Sequence, residues 1–178
     1  MNQYERQLRH RDVSRHPDDR QRNDQHYSAV HNLTKRFDFL LDLKKRVQIP
    51  SEIRQSLYPE DEGIFILTKG IWNCIFAFPK SAWERRKNRL SELGLTSVEL
   101  YQRKQVLNSM SFTCPMDKQF RIKIPDSLLE FANLEHEVAI VGVEDRVEFW
   151  NKRDCDTYYR KLLEDVSWDD VRDDLLLD

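Results

Sequence analysis

The sequence has few of the residues that enzymes with phosphate loops and secreted domains depend on. It contains only four glycines and three cysteines among 178 residues. The glycines are too few for a glycine-rich phosphate loop, and neither G-x-S-x-G, a P-loop nor H-E-x-x-H occurs, so we do not expect an enzyme. The cysteines are odd in number and far apart, which argues against a disulfide framework.

Long apolar runs are also missing. No run approaches the ~20 residues of a membrane-spanning helix, and the mean hydropathy is −0.75. The N-terminus has no apolar core of a secretory signal. We therefore expect a cytoplasmic protein with no membrane partner.

Charge of one sign does not dominate the chain, whose formal net charge is −2. That figure averages unlike segments. Residues 1–32 carry six basic and five acidic side chains, residues 33–161 carry 22 and 19, and residues 162–178 carry one and seven. Residues 33–161 are therefore mildly basic, which is compatible with a nucleic-acid partner. The distribution of charge along the chain is more informative about partners than the net charge is.

Residues 1–32 contain almost nothing apolar to bury, so we predict a disordered N-terminal tail. The tail holds four of the five histidines in the chain, at irregular spacing and without cysteines: His10, His16, His26 and His31. This pattern does not favour a metal site, and we expect no cofactor.

The most informative feature is an internal repeat. Asp42–Pro50 recurs as Asp117–Pro125 with the shared pattern D-x-x-x-R-apolar-polar-Ile-Pro. The similarity continues through Ile64–Leu67 with Ala139–Gly142, and through Ile75–Phe78 with Val147–Trp150. Each copy reads mainly as short strands and is too small to enclose a core alone. Each should pair with the other copy or with another chain.

The region between the copies predicts two helices. Ser81–Glu84 and Thr96–Glu99 both fit a capping box, and Gly94 is placed to end the first helix. One apolar face is expected on each helix, from Trp83, Leu90 and Leu93 and from Val98, Tyr101 and Leu107. A further helix is predicted around Asp154–Leu163. The predicted organisation is a tail (1–32), a first domain (33–80), a helical linker (81–110), a second domain (111–155), and a C-terminal helix with an acidic tail (156–178).

The paired Asp and Arg of each repeat are the candidate site. On a helix, Asp42 with Arg46 or Asp117 with Arg121 would form a surface pair worth ~0.3–0.5 kcal/mol. Here each pair stands where a turn enters a strand, and it occurs twice. A carboxylate can orient a guanidinium toward phosphate or guanine, although a purely structural pair remains the alternative. The surrounding candidate DNA-binding cations are Lys44, Lys45, Arg54, Lys118 and Lys123.

The sequence resembles the MraZ family of bacterial transcription regulators over about residues 37–160. The stretches that carry the resemblance are Leu41–Pro50, Met116–Pro125, Leu134–Val143 and Val147–Trp150. It implies an α+β fold, mainly β with helices, in which two tandem AbrB-like swapped-hairpin units pack as a pseudo-dimer. It also implies a nucleoid-associated, ring-like homo-oligomer on double-stranded DNA. The expected target is short direct repeats in promoters upstream of cell-division and cell-wall genes, usually including the family member's own promoter.

The resemblance assigns roles to individual residues. Arg46 and Arg121 take the place of the motif arginines, and Asp42 and Asp117 the place of the carboxylates that orient them. Lys44 matches a lysine inside the first motif, and Arg54 matches the arginine that closes the following helical turn.

The family generally has glycine just before each motif arginine, where this chain has Lys45 and Phe120. At positive φ, a residue other than glycine costs on the order of 1 kcal/mol or changes the turn. Lys45 is expected to add a phosphate contact, and Phe120 an apolar contact between subunits.

A second hypothesis is an antitoxin-like or other protein-interaction module that uses the same fold without specific DNA binding. The acidic segment Asp165–Asp178 favours this reading, because an acidic segment suits a basic partner. The same segment is also a candidate intramolecular competitor for the basic surface.

Overall fold

The computed structural model describes residues 35–92, 96–167 and 171. The predictions for the tail 1–32, for Leu93 and Gly94, and for most of the acidic segment lie outside these residues. The strands are β1 (Arg36–Leu40), β2 (Arg46–Gln48), β3 (Ile64–Lys69), β4 (Ile75–Pro79), β5 (Ser111–Pro115), β6 (Arg121–Lys123), β7 (Glu137–Val143) and β8 (Arg146–Asn151). The helices are α1 (Ser51–Gln55), α2 (Lys80–Ser91), α3 (Ser97–Ser109), α4 (Asp126–Phe131) and α5 (Lys152–Asp165), with a 3-10 turn at Pro59–Asp61.

The two repeats exchange strands. Within the described residues, six strands form one antiparallel sheet in the order β1-β7-β8-β4-β3-β5, and β2 pairs with β6 in a separate two-stranded sheet. Strand β1 of the first repeat therefore lies against β7 of the second, while β5 lies against β3. This interleaving confirms the predicted α+β fold of two swapped-hairpin units packed as a pseudo-dimer.

Alternating apolar residues give the large sheet two buried faces. On the inner face, Phe65 and Phe149 pack with Val47 and Ile122, which come from the two-stranded sheet. The core is thus built from both repeats at once. The outer face is covered by α2 near Phe78 and by α5 near Trp150.

The capping box predicted at Ser81–Glu84 is wrong. Helix α2 begins at Lys80, directly after Pro79, and has no side-chain cap from its own N-cap residue. The buried carboxylate of Asp61 replaces it, since its Oδ1 accepts from the Ser81 N–H at 2.8 Å while Oδ2 accepts from the Tyr58 N–H at 2.8 Å.

The second box is confirmed at α3. The Thr96 hydroxyl accepts from the Glu99 N–H at 3.3 Å, and Glu99 Oε2 accepts from the Thr96 N–H at 3.1 Å. The apolar residues expected to form one face of α3 do not form a buried face, however. No residue of Ser97–Ser109 is buried, and Val98 and Tyr101 are exposed. Only Leu107 reaches the cluster around Trp83, because α2 already covers that part of the sheet.

The predicted C-terminal helix is confirmed as α5, which extends two residues beyond Asp154–Leu163 at each end. Asn151 caps it by accepting from the Arg153 N–H at 2.9 Å. In the part of the chain that the structure describes, no helix has the length and apolarity needed to cross a bilayer.

Candidate nucleic-acid interface

The first motif forms a closed turn between β1 and β2. Asp42 Oδ1 accepts from the backbone N–H groups of Lys44 and Arg46, at 2.8 and 3.0 Å. The backbone adds two further bonds, from the Asp42 N–H to the Arg46 carbonyl (2.9 Å) and from the Lys45 N–H to the Asp42 carbonyl (2.8 Å). One aspartate therefore fixes the whole turn, four residues before the motif arginine.

The second motif repeats this turn almost atom for atom. Asp117 Oδ1 accepts from the N–H groups of Gln119 and Arg121, at 2.8 and 3.0 Å. The Asp117 N–H donates to the Arg121 carbonyl at 2.8 Å, and the Phe120 N–H donates to the Asp117 carbonyl at 2.9 Å. The repeat seen in the sequence is thus a repeat of geometry.

Lys45 and Phe120 adopt the left-handed backbone that favours glycine. Their φ angles are 62° and 59°. Both turns therefore keep the shape that glycine would allow and carry the strain of a Cβ atom. Each side chain has found a partner across the pseudo-dimer. Lys45 Nζ lies 2.8 Å from Asp126 Oδ1, and the Arg54 guanidinium lies 3.9 Å from the centre of the Phe120 ring.

The antiparallel pairing of β2 with β6 brings the two turns side by side. Arg46 lies opposite Lys123 in the register, and Gln48 lies opposite Arg121. Two backbone hydrogen bonds of 2.9 Å join the end of each strand to the turn of the other motif. The Ile49 N–H donates to the Phe120 carbonyl, and the Ile124 N–H donates to the Lys45 carbonyl. The candidate side chains of the two halves therefore form one surface.

At its centre lies a cluster of Asp42, Arg46, Asp117 and Arg121, here called the Asp–Arg quartet. Arg46 contacts Asp42 Oδ2 through Nε (2.8 Å) and Nη2 (2.7 Å), and Asp117 Oδ2 through Nη1 (3.5 Å). Arg121 mirrors it, with Nε and Nη2 at 3.0 and 2.8 Å from Asp117 Oδ2 and Nη1 at 3.5 Å from Asp42 Oδ2. Each arginine is thus held by both carboxylates, a cross-pairing that follows from strand register and that a single repeat does not reveal.

The electrostatics of the quartet are balanced. Hydrogen bonds from Arg121 lower the pKa of Asp117 to about 2, and Arg46 lowers the pKa of Asp42 in the same way. Two carboxylates and two guanidiniums leave no net charge. The side chains of Arg46 and Arg121 are 26% and 23% exposed, so part of each guanidinium still reaches the surface. In each of these two guanidiniums, three of the five N–H groups face a quartet carboxylate in the contacts given above.

The other predicted cations divide into two groups. Lys44, Lys118 and Lys123 are exposed around the quartet. Arg54 instead holds the site together, because its Nε donates to the Ile49 carbonyl at 3.2 Å and its guanidinium covers Phe120. The expected subunit contact of Phe120 stays a prediction, with its ring 46% exposed beside Arg54.

Sequence reasoning missed two contributors to this surface. Asp126, which follows the second motif, forms the ion pair with Lys45. Gln48 Nε2 donates to the Gln119 carbonyl at 3.0 Å and so braces the second turn. Strand register was the missing information in both cases. Among the described residues, no group of three or more His, Cys, Asp or Glu side chains is arranged to hold a metal ion.

Comparisons with known proteins agree with the repeated motif. Residues 109–177 match the family model described as "MraZ protein, putative antitoxin-like". The Transcriptional regulator MraZ of Natranaerobius thermophilus is 31% identical over 140 residues, which cover 79% of this chain and 94% of that protein. The Transcriptional regulator MraZ of Desulforamulus reducens is 35% identical over 122 residues, which cover 68% of this chain and 83% of that protein.

Proposed function

Because this chain belongs to the MraZ family of transcriptional regulators, we propose that it binds promoter DNA through its two motif turns. The proposed target is a series of short direct repeats upstream of cell-division and cell-wall genes. The proposed active form is a ring-like homo-oligomer that presents several pairs of turns to one double-stranded site, in association with the nucleoid.

The observation that carries this proposal is the Asp–Arg quartet with its rim of lysines. The quartet fixes the backbone of both turns before DNA arrives, so little conformational entropy remains to be lost on binding. Lys44, Lys118 and Lys123 then supply exposed positive charge that attracts the negatively charged duplex. The N–H groups of Arg46 and Arg121 outside the quartet contacts would reach phosphate or guanine.

An oligomer follows from the modest charge of each protomer. Residues 33–161 carry 22 basic and 19 acidic side chains, which is weak for a DNA-binding domain that acts alone. Several copies aligned on one duplex add their phosphate contacts and their specific contacts together. A ring that matches regularly spaced repeats meets this requirement.

The first test is binding of the purified full chain to the DNA upstream of its own coding sequence. Arg46→Ala and Arg121→Ala should each weaken specific binding at least tenfold, the scale of one lost bidentate base contact. Arg103→Ala, an exposed arginine on α3, is the matched control and should bind as the wild type does.

Because Arg46 also holds its own turn, thermal unfolding and oligomer mass must be measured for every variant. Arg46→Lys separates charge from geometry, since lysine keeps the charge but cannot form the bidentate contact. It should lose specific binding while retaining most non-specific binding. Full operator affinity in Arg46→Ala would show that the motif assignment is wrong.

A footprint on the same DNA tests the target and the assembly together. Protection should appear at regularly spaced short repeats and should weaken steeply as salt rises. A single isolated protected site, or protection that does not depend on sequence, would contradict the direct-repeat proposal.

The second candidate function is a protein-interaction module that does not bind DNA specifically. It is favoured by residues 162–178, which carry one basic and seven acidic side chains. A basic protein captured by the full chain, released by deletion of 165–178 and unaffected by Arg46→Ala, would support this candidate over DNA binding.

A further inference from the structure

The two motif turns share a backbone but differ at their tips. The residue after the motif aspartate is Leu43 in the first turn and Lys118 in the second. Both are exposed, and Leu43 is 104% exposed, so it packs against none of the residues that the structure describes. One tip is therefore apolar while the equivalent tip is cationic.

Single exposed leucines are ordinary on protein surfaces, but the position of Leu43 is not. Its neighbours Asp42 and Lys44 are joined by the 2.8 Å bond from the Lys44 N–H to Asp42 Oδ1. The side chain is thus presented by a rigid turn, beside the lysines of the proposed DNA surface. A partner that binds this surface therefore meets one apolar side chain among exposed lysines.

Double-stranded DNA offers an apolar group at the edge of its bases. In the major groove, the C5 methyl of thymine is the apolar feature that distinguishes one base from the others, while guanine presents two acceptors. A leucine suits the methyl, and a lysine suits the acceptors. The two turns of one protomer therefore suit different bases.

We propose that Leu43 is a specificity-determining residue that contacts a thymine methyl, whereas Lys118 contacts guanine acceptors at the equivalent place in the second turn. Each protomer then reads an asymmetric DNA element despite the pseudo-symmetry of its fold. This inference rests on the proposed function, because it assumes that the turns enter the major groove.

The experiment begins with sites selected by the wild-type chain from random duplexes. In a selected duplex, each thymine is replaced in turn by deoxyuridine, which removes only the methyl. For the wild type, one or two replacements should weaken binding about fourfold, as expected for ~0.8 kcal/mol per methyl-sized group. Leu43→Ala should bind the unmodified duplex more weakly and should not respond to those replacements.

Exchange of the tips gives a matched gain of function. Lys118→Leu should create a new thymine preference at the half of the element read by the second turn. Leu43→Lys should replace the thymine preference of the first half with guanine. Both substitutions lie on fully formed turns and remove no contact of Asp42 or Asp117, so the fold should be retained.

Each possible outcome decides the question. Specific binding with equal deoxyuridine sensitivity in the wild type and Leu43→Ala overturns this inference and leaves the proposed function standing. A change of oligomer mass in Leu43→Ala, with unchanged base preference, overturns it in favour of a contact between subunits. Absence of any sequence preference in the wild type overturns both proposals.

Discussion

Replacement of Lys45 and Phe120 by glycine tests the energetics of the motif turns directly. Both residues hold a left-handed backbone, with φ of 62° and 59°, although the chain uses only four glycines in all. Lys45→Gly and Phe120→Gly remove a Cβ atom from a strained conformation. They also remove one side-chain contact each, to Asp126 and Arg54.

The magnitudes can be worked out separately. Relief of a left-handed residue is worth ~1–2 kcal/mol, and the extra freedom of glycine in the unfolded chain costs ~0.5–1 kcal/mol. The Lys45–Asp126 pair is exposed on both sides, so its loss costs little. Loss of the Arg54–Phe120 contact costs ~0.5–1 kcal/mol. Lys45→Gly should therefore lie between neutral and a stabilisation of ~1 kcal/mol, and Phe120→Gly within ~1 kcal/mol of the wild type on either side.

Urea unfolding of the single variants and of Arg54→Met backgrounds isolates the strain. With Arg54 already replaced by Met, Phe120→Gly should stabilise the protein by ~0.5–1 kcal/mol, because the cation–π contact is no longer there to lose. Lys45→Gly should also lower the salt slope of DNA binding by about 0.9 for each phosphate contact it removes. Destabilisation beyond ~1 kcal/mol by Lys45→Gly, or any destabilisation by Phe120→Gly in the Arg54→Met background, would refute the reasoning.

Three further predictions concern buried and paired groups. Because the pKa of Asp117 is lowered to about 2, its stabilising contribution is complete above pH ~4 and is lost as the pH falls toward 2. The thermal unfolding temperature should therefore depend less on pH in this range for Asp117→Asn than for the wild type. Equal pH dependence would contradict the pairing. Asp61→Ala removes the carboxylate that accepts from two backbone N–H groups. It should lower the free energy of unfolding in urea by ~1–3 kcal/mol, and Asp61→Asn should restore part of this loss. A change below ~0.5 kcal/mol would contradict the role of Asp61. Burial raises the pKa of Cys74 to about 12 and those of Cys114 and Cys155 to about 11. A thiol reagent at pH 8 should therefore label the native protein slowly, and should label all three cysteines once the protein is denatured. Rapid labelling of the native protein would contradict their burial.

The repeat allowed much of the fold to be predicted from sequence. The alternation of Val47–Ile49 and of Ile122–Ile124 indicates half-buried strands. Two copies too small to enclose a core alone each need a partner, either the other copy or another chain. Strand pairing itself carried no local signal. The contacts of Arg46 with Asp117, and of Arg121 with Asp42, depend on register between residues more than 70 positions apart.

Local rules failed where a distant group took over their role. Ser81 and Glu84 match a capping box, yet Asp61, 20 residues before Ser81, accepts the N–H bond at the start of α2. Likewise, the apolar residues of α3 satisfy a helical pattern without being buried, because burial depends on what lies beside the helix. Neither the contact of Asp61 with α2 nor the exposure of α3 can be predicted from the sequence of the helix itself.

The quartet is electrically neutral, whereas the exposed lysines around it carry positive charge. Because Asp42 and Asp117 cancel the charges of Arg46 and Arg121, these arginines add little to the long-range attraction of DNA. In the proposed complex the exposed lysines would supply that attraction, while the quartet holds the backbone of both turns. A family motif that pairs each arginine with an aspartate would be wasteful if positive charge were its purpose. It fits the proposal that the quartet holds two turns with unlike tips, Leu43 and Lys118.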